Sequence, residues 1–171
     1  GITSVEVRAV RDAATEAGAR EVHIVEEPLA AAIGIGLPVH EARGSMVIDM
    51  GGGTTDIGVI SLGGLVSSRN VRIAGEKLDA DIISYISNEF KILIGEKTAE
   101  DLKISVGSIT VGNTPLQAAV RGRDLITGLP REIIVTDADI RNAIAHSMEE
   151  LVEAVKSILE TTPPEVLSDV M

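Results

Sequence analysis

Residues 46–59 read Met-Val-Ile-Asp-Met-Gly-Gly-Gly-Thr-Thr-Asp-Ile-Gly-Val, and no other stretch limits the fold as tightly. Met46-Val47-Ile48 is a continuous apolar run, the pattern of a strand buried on both faces. Thr55, Ile57 and Val59 alternate as a second strand, so the three glycines between must turn the chain within a few residues. Gly63-Gly64 signals a further hairpin, and Leu65 to Ala74 reads as a third strand. Residues 45–74 are therefore expected to form a three-stranded meander.

The flanks read as helices with two more strands. Thr3-x-x-Glu6 is a capping box, followed by Val7, Val10, Ala14 and Ala17 at helical spacing and a stop at Gly18. Glu21 to Val25 alternates and predicts a short strand. Pro28 opens a small-residue helix through Ile33, closed by Gly34, Gly36 and Pro38. Leu78, Ile82, Tyr85, Ile86 and Leu93 mark a helix ending near Gly95, and Thr98-x-x-Asp101 opens a shorter one with Leu102 and Val106 inside. Leu116 to Arg121 and Arg131 to Val135 are strands around a turn with Gly128 and Pro130. Thr136-x-x-Asp139 caps the longest helix, whose expected buried stripe is Ile140, Ile144, Met148, Leu151, Val155 and Leu159, with Pro163-Pro164 as its stop. Helices alternating with strands indicate an α/β or α+β chain.

Composition narrows the function. The 171 residues suit one domain or two small lobes. One Phe, one Tyr and no Trp leave an aliphatic core and no stacking platform for single-stranded nucleic acid. The net charge of −11 has the wrong sign for a phosphate-backbone binder, so nucleic acid is not an expected partner. Residues 1–42 carry 3 basic and 7 acidic residues, 43–136 carry 10 and 11, and 137–171 carry 2 and 8, the pattern of solvated helix faces at both ends. Without cysteine there is no disulfide, thiolate metal site or cysteine nucleophile. No apolar run approaches the roughly 18 residues of a membrane span. No signal peptide is visible, the first residue is not Met and the last segment stops mid-pattern, so a fragment is expected.

Asp49 through Asp56 carries the chemistry. A carboxylate ending an apolar strand is costly unless paired or near a cation. Gly51, Gly52 and Gly53 let backbone amides approach an anion, and Thr54 and Thr55 add hydroxyls. A phosphate with a divalent ion satisfies all three features; an ordinary glycine hairpin with acidic and hydroxyl ends is the competing reading. The Walker A pattern is absent. Glu26-Glu27-Pro28 lies at a strand-to-helix junction, where acidic side chains complement the helix dipole. Beside a phosphate turn, such a carboxylate gains a second reading, orienting water for attack on phosphorus. His23, His40 and His146 are scattered and read as surface or satisfied side chains. Glu149, Glu150, Glu153 and Glu160 read as a solvated helix face, and Arg121 and Arg123 as an exposed hairpin rather than an interface.

Ile24 to Gly34 together with Val47 to Thr55 resembles the actin, Hsp70 and sugar-kinase ATPase superfamily. Ile73-Ala-Gly-Glu-Lys-Leu-Asp79, Ile94 to Lys103, Arg121 to Pro130 and Leu159-Glu-x-x-Pro-Pro-Glu165 are similar to the MreB family of bacterial actins. The resemblance runs along the whole chain. It implies an α/β fold of the actin-like (ribonuclease H-like) ATPase type, mostly the second domain with its small outer subdomain. Residues 1–42 would end the first large subdomain and include the linking helix. Residues 43–95 and 136–171 would form an incomplete second large subdomain, and 96–135 the small outer one.

The same resemblance implies site roles. Gly51, Gly52, Gly53 and Thr54 would hold the β- and γ-phosphates of ATP, and Asp49 would face Mg²⁺ through water. Glu27 would polarise the attacking water, with Thr54 helping to position it. Ala99, Glu100, Asp101 and Lys103 would line the ribose and adenine side. Asp56 stands where the family often has Glu. A first phosphate loop with Asp-x-Gly-Thr and a late adenosine-contacting loop are expected outside these residues. ATP hydrolysis coupled to polymerisation is implied for the whole protein, with the isolated piece inactive. The implied partners are further copies in a filament, membrane-bound rod-complex proteins and the inner membrane surface, reached through segments outside this chain. The implied location is cytoplasmic, at the inner face of the cell membrane. An Hsp70-like or sugar-kinase-like ATPase, or a non-catalytic interaction module of the same fold, is the alternative.

Overall fold

The structure is a computed structural model that describes residues 3–170. The elements run α1 (Ser4–Glu16), α2 (Glu27–Gly34), β1 (Ser45–Met50), β2 (Thr55–Ser61), β3 (Gly64–Val71), α3 (Gly75–Phe90), β4 (Ile92–Leu93), α4 (Glu96–Val106), β5 (Gln117–Asp124), β6 (Pro130–Thr136), α5 (Asp137–Thr161) and α6 (Pro164–Val170). They form two sheets, ordered β1-β2-β3 and β4-β5-β6. The chain divides into two compact units, residues 1–49, 56–70 and 158–171 in one, residues 50–55 and 71–157 in the other.

The first unit is built on the meander. Central β2 is the most buried strand, with Ile57, Val59 and Ile60 fully covered. Ala32, Val39, Val47 and Ile60 form one apolar cluster, with Leu29, Leu37 and Leu65 packed on it. β1 departs from the two-faced burial expected of it: Val47 is buried, but Ile48 is 47% exposed. Val47 and Ile48 point to opposite faces, and among the described residues only the Val47 side of β1 meets this apolar cluster. The hairpin between β2 and β3 turns on Leu62-Gly63, one residue earlier than expected, with φ of 51° and 76°. Positive φ at both central residues marks the primed turn whose twist suits a two-residue loop. α6 is tied in by the Gly44 amide donating to Asp169 Oδ2 at 2.9 Å.

Two expectations in this unit change. Residues 21–26 form no strand, with Ile24 and Val25 exposed, because no described strand offers them a ladder. α1 forms, and its capping box is intact: the Thr3 amide donates to Glu6 Oε2 at 2.8 Å and the Glu6 amide to Thr3 Oγ1 at 3.3 Å. Its apolar stripe buries nothing, however, and Val10 stays exposed.

The second unit has the larger core: Leu78, Ile82 and Ile86 of α3, Ile92 of β4, Ala99, Leu102 and Val106 of α4, Val120 and Val135 of the sheet, and Ile140 and Ile144 of α5. Full burial of each large aliphatic side chain contributes about 1.5–3 kcal/mol. α3 ends at Phe90 rather than near Gly95, because Lys91 is left-handed at φ 56° and Ile92-Leu93 pair with Asp124 and Arg123. Ladder bonding thus claims Leu93, which helical spacing had assigned to α3. α4 starts at Glu96 behind Gly95, so Thr98 and Asp101 lie inside it and cap nothing. The capping box of α5 is present, with Thr136 Oγ1 donating to Asp139 Oδ2 at 2.6 Å and the Asp139 amide donating back at 3.3 Å. The buried stripe of α5 is Ile140, Ile144, Ser147, Leu151, Ala154 and Ile158; Met148, Val155 and Leu159 are half-buried beside it. Ser147 tolerates burial by donating to Asp81 Oδ2 of α3 at 2.5 Å. Among the described residues no helix is long and apolar enough to cross a membrane.

Candidate functional site

The glycine segment forms a tight turn joining β1 to β2, neither helical nor buried. The Gly51 amide donates to the Thr54 carbonyl at 2.9 Å and closes it. Positive φ occurs at Gly18, Gly36, Gly63 and Gly128 but not at Gly51, Gly52 or Gly53. Their backbone conformation therefore does not by itself demand glycine. A Cβ on Gly52 would sit 3.3 Å from Glu76 Oε1, and one on Gly51 would sit 3.4 Å from the Thr54 carbonyl. The backbone of residues 51–54 is left exposed.

What holds the turn comes from α3. The Gly75 amide donates to the Gly51 carbonyl at 3.1 Å and the Glu76 amide to the Gly52 carbonyl at 2.9 Å. Helix-starting amides lack intrahelical partners, and here the turn supplies two acceptors. Thr55 is buried and donates through Oγ1 to the Ile73 carbonyl at 2.5 Å, fixing the far end of the turn to the chain entering α3. From α4, Lys103 Nζ donates to the Gly75 carbonyl at 3.2 Å and lies 2.8 Å from Asp79 Oδ1.

The sequence-predicted residues divide between the units. Gly51, Gly52, Gly53, Thr54 and Lys103 fall in the second unit and are linked through Gly75. Ala99, Glu100 and Asp101 lie on α4 of that unit: Glu100 and Asp101 are exposed, whereas Ala99 is wholly inside the core, backbone included, and offers a ligand no surface. Glu27 and Asp49 belong to the first unit. Glu27 is the exposed first residue of α2, with Glu26 at the N-cap making no side-chain cap. Asp49 is half-buried on β1. Asn70 Nδ2 donates to both carboxylate oxygens of Asp56 at 2.9 Å across β2 and β3, which gives that carboxylate a structural partner.

Gly75, Glu76 and Asp79 are the residues to which sequence reading attached no role. A usable signal was present: α3 has Ala74 at its N-cap and no side-chain cap, so its first amides must be satisfied by another segment. Among the described residues no group of three or more His, Cys, Asp or Glu is arranged to hold a metal.

The profile of the family described as MreB/Mbl protein matches residues 1–171. The chain belongs to the MreB/Mbl family. It is 45% identical over 170 residues to the cell shape-determining protein Mbl of Bacillus subtilis, covering 99% of this chain and 51% of that protein. It is 49% identical over 170 residues to the cell shape-determining protein MreB of Escherichia coli, covering 99% and 49%. MreB5 of Spiroplasma citri, solved bound to AMPPNP, superposes with a TM-score of 0.94 at 40% identity, covering all of this chain and 51% of that one. The same protein has been solved bound to ADP. A chain of the MamK double helical filament gives a TM-score of 0.76 at 20% identity, a likeness of fold. This MreB/Mbl chain therefore has the expected actin-like α/β fold and spans about half the length of the curated relatives it matches. The family matched is the main reading of the sequence, not its Hsp70-like or sugar-kinase-like alternative.

Proposed function

We propose that the full-length protein binds and hydrolyses ATP and assembles into filaments that control bacterial cell shape and wall synthesis. The observation that carries this reading is the Gly51–Thr54 turn, with its exposed glycine backbone braced by α3. Support comes from MreB5, 40% identical across this whole chain, which binds AMPPNP and ADP. On this reading Gly51, Gly52, Gly53 and Thr54 hold the β- and γ-phosphates, and Asp49 faces Mg²⁺ through water, the ion supplying charge neutralisation at the phosphates. Glu27 polarises the attacking water and Thr54 helps position it; the water oxygen bonds to the γ-phosphorus as the bridging oxygen leaves with ADP. Glu100, Asp101 and Lys103 serve the ribose and adenine side, with Ala99 packed in the core behind them.

The proposal extends to assembly. Closure on Mg-ATP favours polymerisation, and hydrolysis biases disassembly. Residues 1–42 end the first large subdomain, 43–95 with 136–171 belong to the second, and 96–135 form the small outer subdomain. Docking to membrane-bound rod-complex proteins and to the inner membrane surface uses segments outside this chain. The filament described for MamK supports self-association through a shared fold. An ATPase assay and a pelleting assay on the full-length protein are the test. ATP-dependent pelleting with phosphate release is expected; pelleting without turnover would point to a non-catalytic module and overturn the hydrolytic part.

A further inference from the structure

The start of α3 is held from two sides. Its Gly75 and Glu76 amides bind the Gly51 and Gly52 carbonyls, and no side chain caps it. On the opposite side, Lys103 of α4 donates to the Gly75 carbonyl at 3.2 Å. Asp79, one helical turn beyond Gly75, accepts from the same ammonium through Oδ2 at 3.0 Å, while its Oδ1 lies 2.8 Å from the charge without hydrogen-bond geometry. Both side chains are largely covered, Lys103 at 22% and Asp79 at 15% exposure. A Cβ on Gly75 would lie 3.5 Å from both Lys103 Nζ and the Gly51 carbonyl oxygen, so ammonium and turn flank the same backbone unit.

We propose that Asp79 is a positioning residue for the phosphate turn. It fixes the Lys103 ammonium on the Gly75 carbonyl and thereby couples α4 to Gly51–Gly53. The inference rests on the proposed reading of that turn and adds how its shape is set. An ammonium has three protons and no directional fork, so its aim depends on the anion that holds it. Remove the carboxylate, and a partly buried charge gains by turning to water. The Gly75 carbonyl then loses its donor and the helix start is free to shift. Leaving one charge of such a pair without its partner is costly, so the ammonium moves and the helix start follows it. Small displacements of groups that position phosphate are costly.

The test uses the full-length protein and three single variants, Asp79→Asn, Lys103→Met and Asp81→Asn, with the Asp79→Asn/Lys103→Met double. Asp81 is the control: it lies on the same helix but binds Lys77 and Ser147, not the turn. Hydrogen exchange of the Gly75 and Glu76 amides is read without nucleotide, and AMPPNP affinity is read by calorimetry. Asp79→Asn is expected to speed exchange and weaken AMPPNP binding, each by about tenfold. The double variant should add little beyond Lys103→Met, as residues acting through one contact do. Asp81→Asn should leave both readouts near wild type. Unchanged exchange in both Asp79→Asn and Lys103→Met overturns the proposal, as does equal acceleration by Asp81→Asn, which would mean general loosening of α3. If wild type binds no AMPPNP, the reading of the turn fails, while exchange still decides the clamp.

Discussion

Glu27 and Asp124 illustrate how differently two carboxylates are used. Glu27 is exposed at the head of α2 and takes part in no side-chain cap, so its charge is not committed to the fold. In the full-length protein, Glu27→Ala should lower kcat by about 10²-fold, the range for a positioned acid–base group. ATP affinity should change little, since a group acting on water matters most in the transition state. Single-turnover kinetics with a binding titration separates these; lost affinity with kept turnover would refute the role. Asp124 is the opposite case. Its Oδ1 accepts from the Thr127 and Ile126 amides at 2.8 and 2.9 Å, and Oδ2 pairs with Arg131 at 2.6 Å. Those backbone bonds first, then Arg131, hold its pKa at about 2, below the ordinary 3.8. A depressed folded pKa stabilises above the unfolded value and is lost as pH falls through the folded one. Stability should therefore drop between about pH 4 and pH 2. Asp124→Asn should unfold at lower temperature at pH 6 and show a smaller acid loss, read by circular dichroism melts at both pH values.

Short contacts between elements decide where helices and strands stop. β5 pairs with β6 over seven residue pairs from Gln117–Thr136 to Arg123–Pro130, and β4 adds only two. So brief a strand depends on close approach. A Cβ on Gly122 would collide with Ile92 Cγ2 and would lie 2.5 Å from the Leu93 carbonyl oxygen. Gly122→Ala should destabilise the chain by about 2 kcal/mol, the usual range for overpacking. Urea melts would show it as a lower midpoint with an unchanged slope. The hairpin of β2 and β3 offers the reverse test. Leu62 sits at φ 51° and is exposed, a conformation that Asn adopts readily and Leu only at a cost. Leu62→Asn should raise stability by about 0.5–1 kcal/mol, and an unchanged melt would show that the strain is relieved elsewhere.

At the scale of the whole molecule, the chain carries −11 and covers about half of its relatives. The family resemblance puts an opposing phosphate loop and an adenosine-contacting loop outside residues 1–171. Contacts worth about 4 kcal/mol are then missing, which weakens affinity roughly a thousandfold. No P-loop lysine is present to offset the charge. Calorimetric titration of these 171 residues with Mg-ATP should find a dissociation constant above about 10 μM. Tighter binding without a partner chain would contradict this reasoning.

What the residues declared alone is what short-range physics controls. The capping boxes at Thr3 and Thr136, the order of the meander, the glycine turn and the aliphatic core follow from spacing and backbone chemistry within a few residues. The actin-like fold was legible through motifs in fixed order, confirmed by the family match. Tertiary structure decided the rest. Leu93 leaves the α3 pattern because β5 offers it a ladder, and residues 21–26 stay unpaired because no described strand does. Ile48 is exposed because the apolar cluster covers only the Val47 face of β1. The link from Asp79 through Lys103 and Gly75 to Gly51 joins residues up to 28 positions apart in pairs, a closeness that no local pattern encodes. Periodicity reports which face is apolar; only packing reports what that face meets.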